Sequence, residues 1–245
     1  MRIAIIACRV FTRELSYYVS QSPHAVEVFW LPQGLHDTPD RLRRMIADTL
    51  GEIDRQREER LLKYSPDAIA LAYGLCSNGV VGLESRDVPL IVPRTDDCIA
   101  QFLGSQRRYL TLFADNPGTY WLNSGWIETA FLPTDENLAR QREEYAALYG
   151  EDNADYLLDQ DGVWMKHYRA CGYIDSPVYA GGIHRDTARR LAAERGWGFR
   201  EWKGDNRLIR ALAFGEWNEE EFCIVPPRHR IEAAYDGTKL RAVPL

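Results

Sequence analysis

Short, almost wholly apolar runs alternate with longer amphipathic segments through the first half of the chain. The clearest runs are Arg2–Ala7, Ala68–Tyr73 and Pro89–Val92. Such runs are typical of strands that are covered on both faces, as the strands of a parallel sheet are. The segments between them are long enough for helical crossovers, which would cover the two faces. The sequence therefore predicts an α/β fold with a mostly parallel sheet and flanking helices.

The pattern changes along the chain and predicts three segments. Residues 1–132 form an N-terminal α/β lobe. Residues 133–176 show helices without a clear strand, beginning with a helix over Asp135–Tyr149, and indicate a helical insertion or bridge. Residues 177–245 return to strands and helices, starting with a strand at Val178–Gly181. They either complete the first sheet or form a second, similar lobe.

Composition and charge exclude several classes of protein. The 245 residues carry a formal net charge of -6, with Lys and Arg scattered among acids rather than gathered into the basic stripe of a nucleic-acid binder. No apolar stretch approaches the roughly 20 residues that span a bilayer. The start of the chain is too short and strand-like for a signal peptide. We expect a cytoplasmic protein with a small-molecule substrate, and neither nucleic acid nor a membrane as partner.

The five cysteines are odd in number and contain no Cys-x-x-Cys pair, which argues against a disulfide framework. In a reducing compartment they would be free thiols, ligands or nucleophiles. Cys223 lies inside an apolar strand and is predicted to belong to the core. Cys171 is ambiguous and could serve as a further ligand.

Three cysteines follow predicted strands of the N-terminal lobe. Cys8 follows the first strand, Cys76 the third and Cys98, after a few residues, the fourth. Because the carboxyl ends of parallel strands meet at one edge of a sheet, these thiols are expected to lie together. Three thiolates suit zinc or an iron-sulfur cluster and leave an open coordination position. The alternative is that each is a small packing residue in its turn, loop or helix.

Other polar residues at the same edge are predicted to complete the site. His36, after the second strand, is a candidate fourth ligand or acid/base. Asp97 is a candidate acid or base, with helix capping as the competing interpretation. The glycine-rich loop after the third strand and the residues after the fifth predict cofactor contacts from Gly74, Asn78, Gly79, Asn123 and Ser124.

A helix is predicted just after the fourth strand. Thr95 or Asp96 would cap it, and it would continue to about Phe113. Cys98 would then lie near the helix N-terminus, where the helix dipole lowers the pKa of a thiol.

Three segments resemble the hallmark segments of a domain-of-unknown-function family, number 1638. These segments are Tyr73–Leu83, Pro93–Cys98 and Pro117–Trp126, and the likeness extends to Ala7-Cys8 and Leu35-His36. Members of that family often accompany corrinoid-dependent methyl-transfer systems. The resemblance implies a role in methyl-group, sulfur or corrinoid metabolism, with corrinoid methyl-transfer proteins as partners. Family members are commonly richer in glycine where this chain has Ser77-Asn78.

The leading hypothesis is a metal- or iron-sulfur-dependent enzyme, a transferase or lyase, acting on a small molecule. One alternative is a noncatalytic protein that binds or delivers a corrinoid or a metal. The other is a metal-free enzyme with Cys98 as its nucleophile. The long charged helix and the aromatic-rich middle segment are also compatible with a homodimer.

Overall fold

The computed structural model describes residues 1–59 and 65–245, which form a mixed α/β fold and confirm the predicted class. The strands are β1 (Arg2–Cys8), β2 (Ala25–Leu31), β3 (Ala68–Ala72), β4 (Glu84–Ser85), β5 (Leu90–Pro93), β6 (Thr119–Leu122), β7 (Ala170–Asp175), β8 (Gly198–Lys203), β9 (Phe222–Val225), β10 (His229–Ala234) and β11 (Lys239–Pro244). The helices are α1 (Thr12–Gln21), α2 (Pro39–Glu58), α3 (Cys98–Phe102), α4 (Gln106–Asp115), α5 (Ser124–Thr129), α6 (Asp135–Tyr149), α7 (Glu151–Asp161), α8 (Gly182–Arg195) and α9 (Arg207–Phe214).

The chain divides into two compact units. The first contains Met1–Leu110 together with Gly204–Leu245, and the second contains Thr111–Lys203. These bounds differ from the predicted segments 1–132, 133–176 and 177–245. The reason is that the last part of the chain returns to the first unit, where it supplies a strand of the main sheet and a hairpin.

The main sheet of the first unit has the strand order β2-β1-β3-β5-β9, and only β9 runs antiparallel to its neighbour. Every residue of β3 is buried, as expected for a strand covered on both faces. Helix α2 begins at Pro39 and buries an apolar stripe of Leu42, Ile46, Leu50 and Ile53. The sequence pattern predicts a helix that continues to about Lys63, which lies outside the described residues.

A C-terminal hairpin, β10 and β11, extends the first unit and pairs with β4. Ile231 and Leu240 are fully buried and belong to the same apolar cluster as the main sheet. The Arg94 guanidinium donates hydrogen bonds to the carbonyls of Thr238, at 2.9 Å, and Leu240. The hairpin is therefore attached to the segment that follows β5.

The second unit is built on a parallel three-stranded sheet in the order β6-β7-β8. The predicted helix over Asp135–Tyr149 is confirmed as α6. The predicted strand at Val178–Gly181 is wrong, since the strand lies earlier, at β7, and residues 178–181 lead into α8. Gly172 places β7 close to its neighbours, because a Cβ there would lie 2.6 Å from both Thr119 and Trp202. Among the helices described, none is long and apolar enough to cross a bilayer.

Candidate functional site

Strand pairing brings the first of the predicted thiols to the end of β3. Strands β1 and β3 are parallel neighbours, and Ala7 is in register with Ala72. Cys8 follows Ala7 as the last residue of β1, and Tyr73 comes directly after the end of β3. These two side chains therefore begin the site at the carboxyl edge of the main sheet.

Two loops meet beside this point and bring the other thiols together. The Leu75 N–H donates to the Thr95 carbonyl at 2.7 Å, and the Cys76 N–H donates to the Asp96 carbonyl at 2.8 Å. Gly74 permits this approach, because a Cβ at that position would lie 2.5 Å from the Thr95 carbonyl oxygen. The contact places Cys76 next to the segment that carries Cys98.

The loop that carries Cys76 has an uncommon backbone. Cys76, Ser77 and Asn78 have φ angles of 45°, 56° and 66°, which are left-handed values for three successive residues other than glycine. This conformation costs roughly 1–2 kcal/mol per residue. Strain of this kind persists only where the surrounding structure enforces it, and it clusters at ligand-binding sites.

The three thiols lie within electrostatic range of one another. Charge on Cys8 raises the pKa of Cys76, and charge on both of these raises the pKa of Cys98. The largest effect at each sulfur is burial, which raises the pKa of Cys8 to about 11 and that of Cys76 to about 12. The pKa of Cys98 is raised well above its ordinary value, again mainly by burial and then by Asp97. In the absence of a bound cation, all three thiols are therefore protonated at neutral pH.

The expected low pKa of Cys98 is wrong. Cys98 is partly exposed as a residue, yet loss of water at its sulfur dominates. Helix α3 has only five residues, so its dipole is weak against the cost of burying a charge.

A backbone N–H acts on each of the three sulfurs. The N–H of Val10 lowers the pKa of Cys8, that of Gly74 lowers the pKa of Cys76, and Cys98 has its own N–H. These effects are smaller than the effect of burial, but all of them favour the thiolate. Hydrogen bonds to sulfur are one of the means by which proteins tune thiolate-bound clusters.

Tyr73 lies among these thiols and is only 5% exposed. Its hydroxyl is buried and has no hydrogen-bond partner among the residues that the structure describes. The pKa of Tyr73 is raised well above its ordinary value by burial and then by Cys8, Cys76 and Cys98. A buried hydroxyl without a partner costs about 1–3 kcal/mol.

Asp97 is the N-cap of α3. Its carboxylate accepts hydrogen bonds from the N–H groups of Ile99 (2.9 Å) and Ala100 (3.3 Å) and from the Tyr109 hydroxyl (3.2 Å). Burial is the main cause that raises its pKa. The competing interpretation of Asp97 as a cap is therefore confirmed, and the prediction of Thr95 or Asp96 as the cap is wrong. A role as acid or base stays a prediction.

Asp96 contacts the C-terminal hairpin. Its carboxylate forms an ion pair with Lys239 at 2.7 Å and accepts a hydrogen bond from the Gln106 side chain at 2.6 Å. Lys239 begins β11, so this pair holds the C-terminal hairpin against the segment that leads to Cys98.

The remaining predicted residues have separate surroundings. His36 lies in a short 3-10 turn, is 40% exposed and pairs with Asp37 at 3.3 Å, so its role at the site stays a prediction. Asn78 is exposed, and its carbonyl accepts a hydrogen bond from Arg43 at 3.2 Å. Gly79 is buried, and its N–H donates to the Cys76 carbonyl.

Asn123 and Ser124 belong to the second unit. Asn123 caps α5 by accepting a hydrogen bond from the Trp126 N–H at 2.7 Å. The Ser124 hydroxyl is hydrogen-bonded to the Tyr173 hydroxyl at 3.0 Å. Both side chains therefore have local structural partners.

The thiols fit a soft metal by chemistry, although they are not arranged around one point. Among the described residues, no three His, Cys, Asp or Glu side chains form a group that could hold a metal ion as they stand. The cysteine side chains would have to turn toward a common centre. Zinc and iron-sulfur clusters are bound by thiolates, so it is the residue type of these side chains, and not their arrangement, that favours such a group.

Comparison with known proteins gives a family. The profile of the family described as "Protein of unknown function (DUF1638)" matches residues 30–213. The chain belongs to this family. The resemblance drawn from the sequence segments is thereby confirmed. The DUF1638 match contains Cys76 and Cys98, whereas Cys8 lies before it. No curated protein and no solved structure matches the chain.

In this DUF1638 protein, sequence patterns did not single out Tyr73 or Lys239. Tyr73 comes directly after the buried strand β3, and Cys8 is the last residue of the buried strand β1. This shared position at the end of a strand was the sequence feature from which Tyr73 could have been predicted. Lys239 lies in a polar turn far along the chain, and its contact with Asp96 has no local signature.

Proposed function

We propose that the protein is a metal- or iron-sulfur-dependent enzyme that acts on a small molecule, with Cys8, Cys76 and Cys98 as ligands. One observation carries this proposal: three thiols, each with a backbone N–H acting on its sulfur, lie within electrostatic range of one another and of the buried Tyr73 side chain. A cation would offset the cost of three buried thiolates.

Three protein ligands leave a coordination position at which a substrate heteroatom can be polarised. We infer a transferase or lyase on this basis. The association of the family with corrinoid systems supports methyl-group, sulfur or corrinoid metabolism, with corrinoid methyl-transfer proteins as partners. The five free cysteines suit the cytoplasm, where thiols stay reduced. A homodimer is compatible with the proposal but is not needed for it.

A noncatalytic protein that binds or delivers a corrinoid or metal is the second candidate. The observation that favours it is that Asp97 already accepts three hydrogen bonds, so this carboxylate is held as a cap. A carrier needs thiols but no acid or base. The metal-free nucleophile is less well supported, because a buried thiol with a raised pKa is a weak nucleophile at neutral pH.

The first test is anaerobic purification followed by an absorption spectrum and analysis for iron, zinc, cobalt and sulfide. Cys76→Ser is expected to abolish metal occupancy while unfolding remains cooperative. Cys171→Ser is the matched control, since Cys171 is a buried thiol of the second unit and its substitution should leave occupancy unchanged. Full metal retention by Cys76→Ser would overturn the assignment of the ligands.

Enzyme and carrier are separated by variants of the predicted acid/base residues. Methyl transfer from methylcobalamin to a thiol serves as the assay, with cobalamin binding measured alongside it. An enzyme should keep its binding but lose transfer in Asp97→Asn or His36→Ala. A carrier should bind cobalamin without transferring the methyl group in any variant.

A further inference from the structure

The second unit contains two cavities that share part of their lining. The larger has a volume of about 820 Å³ and the smaller a volume of about 240 Å³. All of their lining residues belong to this unit. Four residues line both cavities, namely Leu138, Leu158, Gly162 and Met165. The two cavities therefore adjoin, and together they form a groove of the size that small organic ligands occupy.

The smaller cavity and the wall between the two are mostly apolar and aromatic. Phe131 and Trp164 line the smaller cavity and are 50% and 39% exposed. The Trp164 ring meets the ring of Tyr168, which lines the larger cavity, with centroids 5.6 Å apart. Tyr168 in turn lies 5.8 Å from Trp197. Aromatic rings thus continue from one cavity into the other and offer contact area to a flat apolar group.

The charged residues of the larger cavity differ in their partners. The Arg195 guanidinium pairs with the Asp135 carboxylate, and the Glu194 carboxylate accepts a hydrogen bond from the Asp135 N–H at 2.9 Å. Lys166 and Arg169 are exposed, and neither pairs with a carboxylate of the residues that the structure describes. These two cations can therefore meet an anionic ligand without giving up an existing ion pair.

Two further acidic side chains line the groove. Asp161, in the smaller cavity, accepts hydrogen bonds from the Tyr145 hydroxyl and from the Gln141 side chain. Asp159, in the larger cavity, is exposed at the end of α7. The larger cavity still has three basic lining residues against two acidic ones. This balance favours an anionic group over a cationic one.

We propose that this groove binds an amphipathic organic anion, with a flat apolar body against Trp164 and Tyr168 and an anionic group at Lys166 and Arg169. A guanidinium suits this task, since its planar donors can bind two oxygens of one oxyanion. The site belongs to the second unit, whereas the thiols belong to the first, so the inference does not depend on the proposed function.

Two dyes that differ by one group test the inference. Anilinonaphthalene sulfonate carries a sulfonate on a flat apolar body, and phenylnaphthylamine is the same body without the sulfonate. Fluorescence titration of wild type should give saturable binding of both dyes, with the sulfonate bound more tightly. Lys166→Gln combined with Arg169→Gln should weaken binding of the sulfonate by about tenfold and leave the uncharged dye unaffected. Both side chains are exposed, so this variant should fold as wild type does.

Three other variants separate the two ends of the groove. Arg200→Gln is the matched control for charge, because Arg200 is an exposed arginine of the same unit and lines neither cavity. It should leave the affinity for both dyes unchanged. Asp159→Asn should strengthen binding of the sulfonate alone, by roughly two- to threefold. Phe131→Ser removes an apolar wall and should weaken both dyes by a similar factor.

Several results would overturn the inference. The first is failure of wild type to bind the sulfonate, or unchanged affinity for it in the double variant. The second is an equal loss of both dyes in the double variant, which would mean that the cations do not read the anionic group. The third is an equal effect of Arg200→Gln, which would indicate attraction by overall charge. The fourth is unchanged binding of both dyes by Phe131→Ser. Metal uptake enters none of these measurements, so the proposed function is tested separately.

Discussion

Burial raises the pKa of each thiol of the site more than neighbouring charges do. Burial is the first cause of the raised pKa at Cys8, Cys76 and Cys98, and the backbone N–H groups offset only part of it. A metal that binds these sulfurs must therefore displace their protons. Two measurable consequences follow at the residue scale.

Metal uptake should release about three protons per site at neutral pH, one from each thiol. The reason is that all three thiols are protonated there before binding. Calorimetry in two buffers of different ionisation enthalpy measures this number. Release of fewer than two protons would mean that at least one thiol is already ionised or is not a ligand.

The metal-free protein should lose stability as the pH rises above about 9. The pKa of Cys76 is raised from 9.0 to about 12, so between these values the folded state holds a proton that the unfolded state has released. The contribution of this thiol is complete below pH 9.0 and is lost through about 12. Urea unfolding at increasing pH should show a shallower decline for Cys76→Ser than for wild type. Parallel declines would contradict the raised pKa.

Among the elements, the junction between the Cys76 loop and the segment after β5 decides the geometry of the site. Gly74 has no room for a side chain, because the Thr95 carbonyl and hydroxyl both lie within 2.6 Å of where a Cβ would be. One of these neighbours is backbone, which cannot turn away as a flexible side chain can. The two loops would have to separate to admit even a methyl group.

Gly74→Ala should therefore destabilise the protein by about 1–3 kcal/mol and reduce metal uptake. Gly51→Ala is the matched control, because Gly51 lies within α2 and a Cβ there meets nothing within 4 Å. The control should gain roughly 0.5–1 kcal/mol, since alanine favours helix more than glycine does. Chemical denaturation and elemental analysis measure both effects. Equal stability of the two variants would contradict the close contact.

Local patterns predicted some elements well and others poorly. Apolar runs located β1 and β3, and both bounds of α6 agree with the prediction. The helix predicted to run from the fourth strand to about Phe113 is instead broken between α3 and α4. Gly104 has a φ of 76° there, and its Cβ position is 2.5 Å from the Asp205 carbonyl oxygen. That break depends on a contact far along the chain, which no local pattern shows.

The candidate site could also be predicted only in part from local patterns. The rule that parallel strands share a carboxyl edge placed Cys8, Cys76 and Cys98 in one region, and their mutual electrostatic effects agree with it. The helix-capping role of Asp97 was one of two interpretations that the sequence left open. The missing partner of the Tyr73 hydroxyl could not be predicted, because it depends on every side chain that packs around it.

For the whole molecule, the return of the chain to its first unit is the main feature. Residues 204–245 bring β9 to the main sheet and add a hairpin whose Ile231 and Leu240 are fully buried. The last part of the sequence is thus a structural component of the unit that carries the thiols.

Ile231→Ala should cost about 2–5 kcal/mol of unfolding free energy, because it leaves a cavity in the core of the first unit. Tyr235→Ala, in the same hairpin, is the control: Tyr235 is 97% exposed, and its substitution should change stability by less than about 0.5 kcal/mol. Urea denaturation compares the two. A small effect for Ile231→Ala would mean that the hairpin contributes little to the stability of the first unit.

The hydrogen bonds from Arg94 to the C-terminal hairpin also affect when this part of the first unit can form during translation. Thr238, whose carbonyl Arg94 binds, comes 144 positions later in the chain. While a ribosome is still making the intervening residues, the segment between Arg94 and Cys98 has no hairpin to hold it. The hairpin can therefore hold this segment only after Thr238 and Leu240 have been synthesised.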